Sequence, residues 1–383
     1  MARRLRRIVA ATLLAAPLVA LPVAAPAAVA VAEHGDGSTP TYGHSAAHGY
    51  GYGYGYGSGA GAWPSDLGDP GVGGYSSYAS STVEADPATS AESTGVVLVD
   101  TVVDYGQGEA AGTGLVLTSD GYVLTNHHVI ADSTSITVTL PSTGRDYVAD
   151  VVGYDAADDV AVLHLEDASG LTTVATDSGD LASGAAVTAV GNAEGGGTLR
   201  AADGTVTATG ADITVSDDQG GTESLDHLIE VDADIVSGDS GGALLDSDDE
   251  VVGMNVAASS GSADVVGYAI PIGTVLDIAS QIRSGDSGGD IDLGYGAALG
   301  VELAASSTTP AVGGVVEDGA AAGAGIGAGS TITSFAGTEV TSADALTTAI
   351  ARLGAGDRVR VGWTDAEGQT HTATVTLGRA PVA

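Results

Sequence analysis

Between residues 93 and 283 the chain is written as short β-branched runs, at 96–99, 115–118, 122–125, 136–140, 187–190 and 251–256, separated by turn-forming residues. Such runs predict strands. Ser119-Asp120-Gly121 between two of them predicts a hairpin. Many short strands with few helices predict a closed antiparallel sheet, either a barrel or a sandwich. One helix is legible near the end of this block. Val275, Ile278, Ala279 and Ile282 recur at helical spacing, and Gly285 follows as a stop.

Composition limits what such sheets can contain and touch. With aromatics at 4%, a core has to be built from Val, Ile, Leu and Ala. There is no cysteine, which excludes disulfides, thiol catalysis and thiolate metal sites. The formal charge is −38, from 49 acidic and 11 basic residues, and four of the basic ones lie within the first seven positions. A surface this acidic repels phosphate backbones and anionic headgroups, so neither a nucleic-acid partner nor peripheral membrane binding is expected.

Residues 1–32 begin with Arg3, Arg4, Arg6 and Arg7, continue as an apolar stretch broken by Pro17, Pro22 and Pro26, and close on small-x-small sites such as Ala28-Val29-Ala30. This is the layout of a secretory signal peptide, and it predicts an exported chain. The alternative is an uncleaved anchor, since the stretch is long enough to span a bilayer. Residues 33–92 are low in complexity, with repeated Gly-Tyr and scattered His. They bury too little to offset backbone ordering and predict a disordered spacer or wall tether. His34, His44 and His48 could bind a metal loosely, but they lack a fixed ligand spacing, and no metal or organic cofactor is expected.

Three clusters carry chemistry. Thr125-Asn126-His127-His128-Val129 ends a strand, Asp158-Asp159-Val160-Ala161-Val162-Leu163 opens one, and Ser237-Gly238-Asp239-Ser240-Gly241-Gly242 is a glycine-rich turn. A serine hydroxyl becomes a nucleophile when an imidazole accepts its proton, and the imidazole needs a carboxylate to fix its tautomer. Glycines around the serine allow a tight turn whose amides converge on a developing oxyanion. The order His, Asp, Ser is that of a chymotrypsin-type triad. Either His of the first pair and either Asp of the second would fit. So would a second serine, because Gly285-Asp286-Ser287-Gly288-Gly289 repeats the nucleophile motif letter for letter.

With these motifs, and with Gly112-Thr113-Gly114, Gly191-Asn192 and Val266-Gly267-Tyr268-Ala269-Ile270-Pro271 in the same order, the block resembles the trypsin-like domain of the HtrA family of serine proteases. The resemblance implies a double six-stranded antiparallel β-barrel of the trypsin type over residues 93–283, and a mostly β chain. It implies His128 as general base, Asp159 as its orienting acid and Ser240 as nucleophile, with the Gly238 and Ser240 amides as oxyanion hole. Ser287 then belongs to a linker over 284–291. Two departures stand out. The family usually has Pro-Gly-Asn-Ser at the nucleophile, where this chain has Ser237-Gly238-Asp239-Ser240, and the loop from Asp104 to Ala111 is short. Asp234 stands where trypsins carry the acid that selects basic side chains; the alternative is an ordinary loop acid, and HtrA-like enzymes generally cut after small aliphatic residues.

Beyond the linker, Ala298-Leu299-Gly300-Val301 resembles the carboxylate-binding loop of a PDZ domain, and Leu346, Ala349, Ile350 and Leu353 form a helical stripe expected to end at Gly354. This implies an α+β PDZ domain over 292–379. There a peptide C-terminus would pair as an added strand, with its carboxylate held by Leu299, Gly300 and Val301. The whole then implies an exported serine endopeptidase acting on unfolded or misfolded polypeptides, with a homotrimer among the family's assemblies. The alternative from another class is a non-catalytic peptide-binding or chaperone-like module.

Overall fold

The computed structural model describes residues 85–216, 222–256, 267–304 and 309–383. The expected leader and nearly all of the Gly/Tyr tract lie outside the described residues. Among those described, no helix is long and apolar enough to cross a membrane.

Six strands close the first barrel: β1 (Val96–Val103), β2 (Gly108–Val116), β3 (Tyr122–Thr125), β4 (Ser133–Leu140), β5 (Arg145–Asp155) and β6 (Val160–Leu165). Their order is β5-β4-β1-β2-β3-β6, and antiparallel pairing of β5 with β6 shuts the ring. The second barrel repeats the plan with β7 (Ala186–Gly191), β8 (Arg200–Ser216), β9 (Thr222–Val231), β10 (Ala243–Leu245), β11 (Val251–Val256) and β12 (Gly267–Pro271). Its order is β8-β9-β12-β11-β10-β7, closed by β7 on β8. Closure leaves neither sheet with a long unpaired edge.

The burial pattern explains why the strand runs are apolar without alternation. In β1, Val97 and Val99 point into the first barrel, whereas Val96 and Leu98 face outward and join Val190, Leu245 and Met254 of the second barrel in a shared core. Strand β6 does the same, with Ala161 and Leu163 inward and Val160 and Val162 outward. Both faces are dry, so both face-sets are hydrophobic.

Two helices belong to this block. The one-turn helix α1 (His127–Ile130) follows β3, and α2 (Ile272–Ser284) follows β12. Helix α2 buries Ile272, Val275, Ile278, Ala279 and Ile282, and each of its larger apolar side chains contributes roughly 1.5–3 kcal/mol. It stops at Gly285, whose φ of 75° lets its N–H reach the carbonyls of Gln281 and Ile282. This is the helix and stop expected from sequence.

The segment that follows differs from expectation. Residues 284–291 read as a strandless linker, yet Ile291–Leu293 is a strand paired antiparallel with β5, Ile291 opposite Asp155. Ile291 is buried in the shared core, and Gly153 permits the approach, because a Cβ there would lie 2.6 Å from the Asp292 carbonyl oxygen. One buried side chain among Asp and Gly leaves no periodic trace.

The remaining block pairs β13 (Val301–Leu303) with β14 (Val312–Val315) and carries the short α3 (Ala320–Ala324). β15 (Thr331–Phe335), α4 (Ala343–Ile350), β16 (Arg358–Thr364) and β17 (Thr370–Thr376) complete it around a core that includes Leu299, Phe335, Leu346 and Trp363. Ser342 caps α4, its Oγ accepting the Ala345 N–H at 3.1 Å. The helix ends at Ile350 rather than at Gly354. Gly354 is instead bridged to Gly296, and its N–H is accepted by Asp357 Oδ2, so the glycine marks a strand-like contact beyond the helix.

Candidate active site

Helix α1 is short because both its neighbours are tied down. Asn126, its N-terminal cap position, is fully buried and donates from Nδ2 to the Asp159 carbonyl oxygen at 2.9 Å. Asp159 sits at the start of β6 with φ 53°, a left-handed conformation that Asp tolerates better than most residues. Its two carboxylate oxygens are both used on one residue. Oδ1 accepts the His128 backbone N–H at 2.9 Å, and Oδ2 lies 2.8 Å from His128 Nδ1. The Asp159 side chain is 2% exposed and the His128 side chain 40%, so a buried carboxylate orients an accessible imidazole. The contact at Nδ1 fixes the orientation of the ring.

The neighbouring candidates separate cleanly. His127 is buried and stacks on Tyr154 at 4.8 Å, and Asp158 is exposed. Neither takes part in the His128–Asp159 pair.

Ser240 lies in the turn between β9 and β10, buried at 4% exposure, and the turn is held against the first barrel. The Thr113 N–H donates to the Ser240 carbonyl oxygen at 2.9 Å, and Thr113 Oγ1 donates to the Gly238 carbonyl oxygen at 2.7 Å. Thr125 Oγ1 in turn donates to the Thr113 carbonyl oxygen at 2.7 Å. Thr113 belongs to β2, and Thr125 ends β3 just before α1. A chain of buried hydrogen bonds therefore runs from the serine turn of one barrel to the histidine helix of the other. The glycines leave room for it. A Cβ at Gly241 would fall on the Thr113 carbonyl oxygen, and Gly238, at φ 93°, would drive one into the Asn192 carbonyl.

The sequence motifs contain Thr113, Asn126 and Asn192 but do not reveal that these residues, with Asn255, hold this arrangement. Thr113, Asn126, Asn192 and Asn255 are buried polar side chains; Asn192 donates its N–H to Thr113 Oγ1 at 2.9 Å, and Asn255 accepts the Gly241 N–H at its backbone carbonyl at 3.0 Å. The signal present is a polar residue inside each apolar motif. Asp239 belongs with them. It is 5% exposed, its Oδ2 accepts the Val236 N–H at 3.0 Å, and burial pushes its carboxyl up to about 7, with that N–H opposing.

The other expected residues are placed as follows. Ser287 is exposed in the irregular segment after α2. Asp234 is partly exposed between buried Ala233 and Ile235. In the last block Leu299 is buried, Gly300 has φ 75°, and Val301 opens β13. The Leu299 and Gly300 carbonyls accept the Ala321 and Val316 N–H groups at 2.9 and 3.1 Å, which ties the loop to α3. Asp177, Asp246 and Glu250 bring one carboxylate oxygen each within 4.8 Å. Asp246 Oδ1 already accepts the Asp248 and Glu250 amides and Asp177 Oδ1 the Gly179 amide, so two of the three carboxylates serve as turn caps.

Residues 112–254 match the family described as "Trypsin-like peptidase domain". The chain is 32% identical over 305 residues to serine protease PepD of Mycobacterium tuberculosis, covering 74% of this chain and 64% of that protein. It is 36% identical over 264 residues to a probable periplasmic serine endoprotease, DegP-like, of Bartonella henselae, covering 66% of this chain and half of that one. The chain thus spans less than two thirds of each of these relatives. Among solved structures it is similar to the HtrA-type protease AlgW with tripeptide, at 28% identity and a TM-score of 0.44, over 76% of this chain and 95% of that one. Residues 112–254 thus match a trypsin-like peptidase domain, and the chain is similar to DegP-like serine proteases.

Proposed function

We propose that the chain is an exported serine endopeptidase that cleaves unfolded or misfolded polypeptides, with a C-terminal PDZ domain that takes peptide C-termini. The observation that carries this reading is the Thr113 clamp, which ties the Ser240 turn to the barrel holding the His128–Asp159 pair. In the reaction His128 Nε2 takes the Ser240 hydroxyl proton as Oγ attacks the scissile carbonyl. Asp159 holds the tautomer and stabilises the imidazolium. The amides of Gly238 and Ser240 receive the oxyanion, and His128 returns the proton to the leaving amine. Water then repeats the sequence on the acyl-enzyme.

Export is supported by the Arg-rich apolar leader and by a relative named as periplasmic. The PDZ reading is supported by Gly300 in the left-handed region after buried Leu299, beside the two-stranded pair β13–β14. The test is digestion of one polypeptide in its folded and its chemically unfolded form. Rapid cleavage of the unfolded form alone is expected, and none by Ser240→Ala. Peptide binding without cleavage would instead establish the non-catalytic module.

A further inference from the structure

The last six residues leave the α+β block and cross to the first barrel. Their root is a two-stranded pairing in which Gly378 opposes Ala298 and Arg379 opposes Ala297, directly before the Leu299–Gly300–Val301 loop. Arg379 then contacts the barrel. Its carbonyl accepts the Tyr105 hydroxyl at 2.8 Å and its guanidinium is paired with Asp150. Val382 pairs main chain to main chain at the junction of α1 and β4: the Asp132 N–H donates to its carbonyl at 2.8 Å, and its own N–H donates to the Ser133 carbonyl at 3.1 Å. Its side chain is 2% exposed and lies within the first barrel's core cluster with Val129 and Ile130 of α1. Finally, the Ala383 main-chain oxygen lies 2.8 Å from Nε2 of His127, whose ring stacks on Tyr154. Thus one end of α1 is held by Asp159 and Asn126, and the rest by a segment belonging to another block.

We propose that residues 378–383 are a strap that fixes helix α1, making Val382 and His127 positioning residues for His128 and connecting the peptide-loop strand Ala297–Ala298 to the active site. This rests on the triad reading above. A four-residue helix has almost no stability of its own. Its orientation is therefore set by what grips it, and small misplacements of a general base are costly to rate. Val382 is seated on α1 and on the Asp132–Ser133 main chain, away from the Ala297–Ala298 pairing, so its loss is expected to act on turnover rather than on substrate capture.

The test uses the purified full chain carrying Val382→Asp, with Val382→Ile as the conservative partner. The readouts are fluorophosphonate labelling of Ser240, kcat and KM on an unfolded substrate, and hydrogen exchange over 127–133 and 378–383. The strap predicts that Val382→Asp frees both segments in exchange and slows labelling and kcat about tenfold with KM nearly unchanged. Val382→Ile restores both. Wild-type kcat in a Val382→Asp protein whose two segments exchange freely would overturn the strap, as would a change in KM alone. If the exchange pattern shows wholesale unfolding, a chain ending at Ala380, which keeps the pairing to Gly296–Ala298, is measured by the same readouts: a tenfold slower kcat at unchanged KM supports the strap, and wild-type kcat overturns it. Failure of the triad reading shows separately, as a wild-type chain that is not labelled at Ser240.

Discussion

The chain contains the pentapeptide Gly-Asp-Ser-Gly-Gly twice, at 238–242 and at 285–289, and the two copies share no environment. In the first copy, Gly238, Asp239, Ser240, Gly241 and Gly242 are all buried, and Thr113 bonds two of their carbonyls. In the second, every residue is exposed, and Gly285 serves to end a helix. Cβ atoms added at Gly241 and Gly242 would run into the Thr113 and Val190 carbonyls. One at Gly289 would meet nothing within 4 Å, and one at Gly288 only the Asp286 side chain. The motif therefore specifies a turn that glycine makes easy. What sets the first copy apart is the pair of barrels closing on it.

The largest expected difference between the copies is in activity. Ser240→Ala lowers kcat/KM at least about 10⁴-fold, and Ser287→Ala leaves it unchanged, measured on one unfolded substrate. Next comes the clamp. Thr113→Val removes the donor to Gly238 and orphans a buried carbonyl, and is expected to cost about 1–3 kcal/mol in stability with a larger fall in kcat than in thermal midpoint. Third, Gly241→Ala is strained at φ 82° and collides with Thr113, so it lowers the unfolding midpoint, whereas Gly288→Ala does not.

The last difference separates the two aspartates. Asp239, raised by burial to about 7, keeps its proton in the folded state between the ordinary carboxylate range and neutrality, where the unfolded chain has lost it. Its contribution to stability is thus full at low pH and is lost as pH rises through about 7. Asp239→Asn cannot ionise, so it unfolds at a higher temperature than wild type at pH 8 and at a similar one at pH 4. Asp286→Asn serves as the exposed comparison. Equal midpoints for Asp239→Asn and wild type at pH 8 would show that the acid is not held in a dry site.

The architecture was legible because each motif carried its own flank. The apolar runs at 96–99 and 160–163 announced strands, and the closing helix announced its stop at Gly285. His128, Asp159 and Ser240 stand out through resemblance of those flanks to HtrA proteases, which also sets Ser287 aside. Less was legible where order arises from distant parts. Ile291–Leu293 is a strand only because β5 offers an edge and Gly153 leaves a gap. Helix α4 ends at Ile350, and Gly354 is instead bridged to Gly296, far away in sequence, a contact that local spacing does not encode. Thr113 and Asn255 read as ordinary polar residues in strands until the serine turn is laid against them.

The central claim is that one serine of the two is activated by His128. Fluorophosphonate labelling of the purified chain, with the adduct located by mass spectrometry, tests it most directly. A single adduct on Ser240 is expected, which disappears in His128→Ala and persists in Ser287→Ala. An adduct on Ser287, or one on Ser240 that survives the loss of His128, would contradict it.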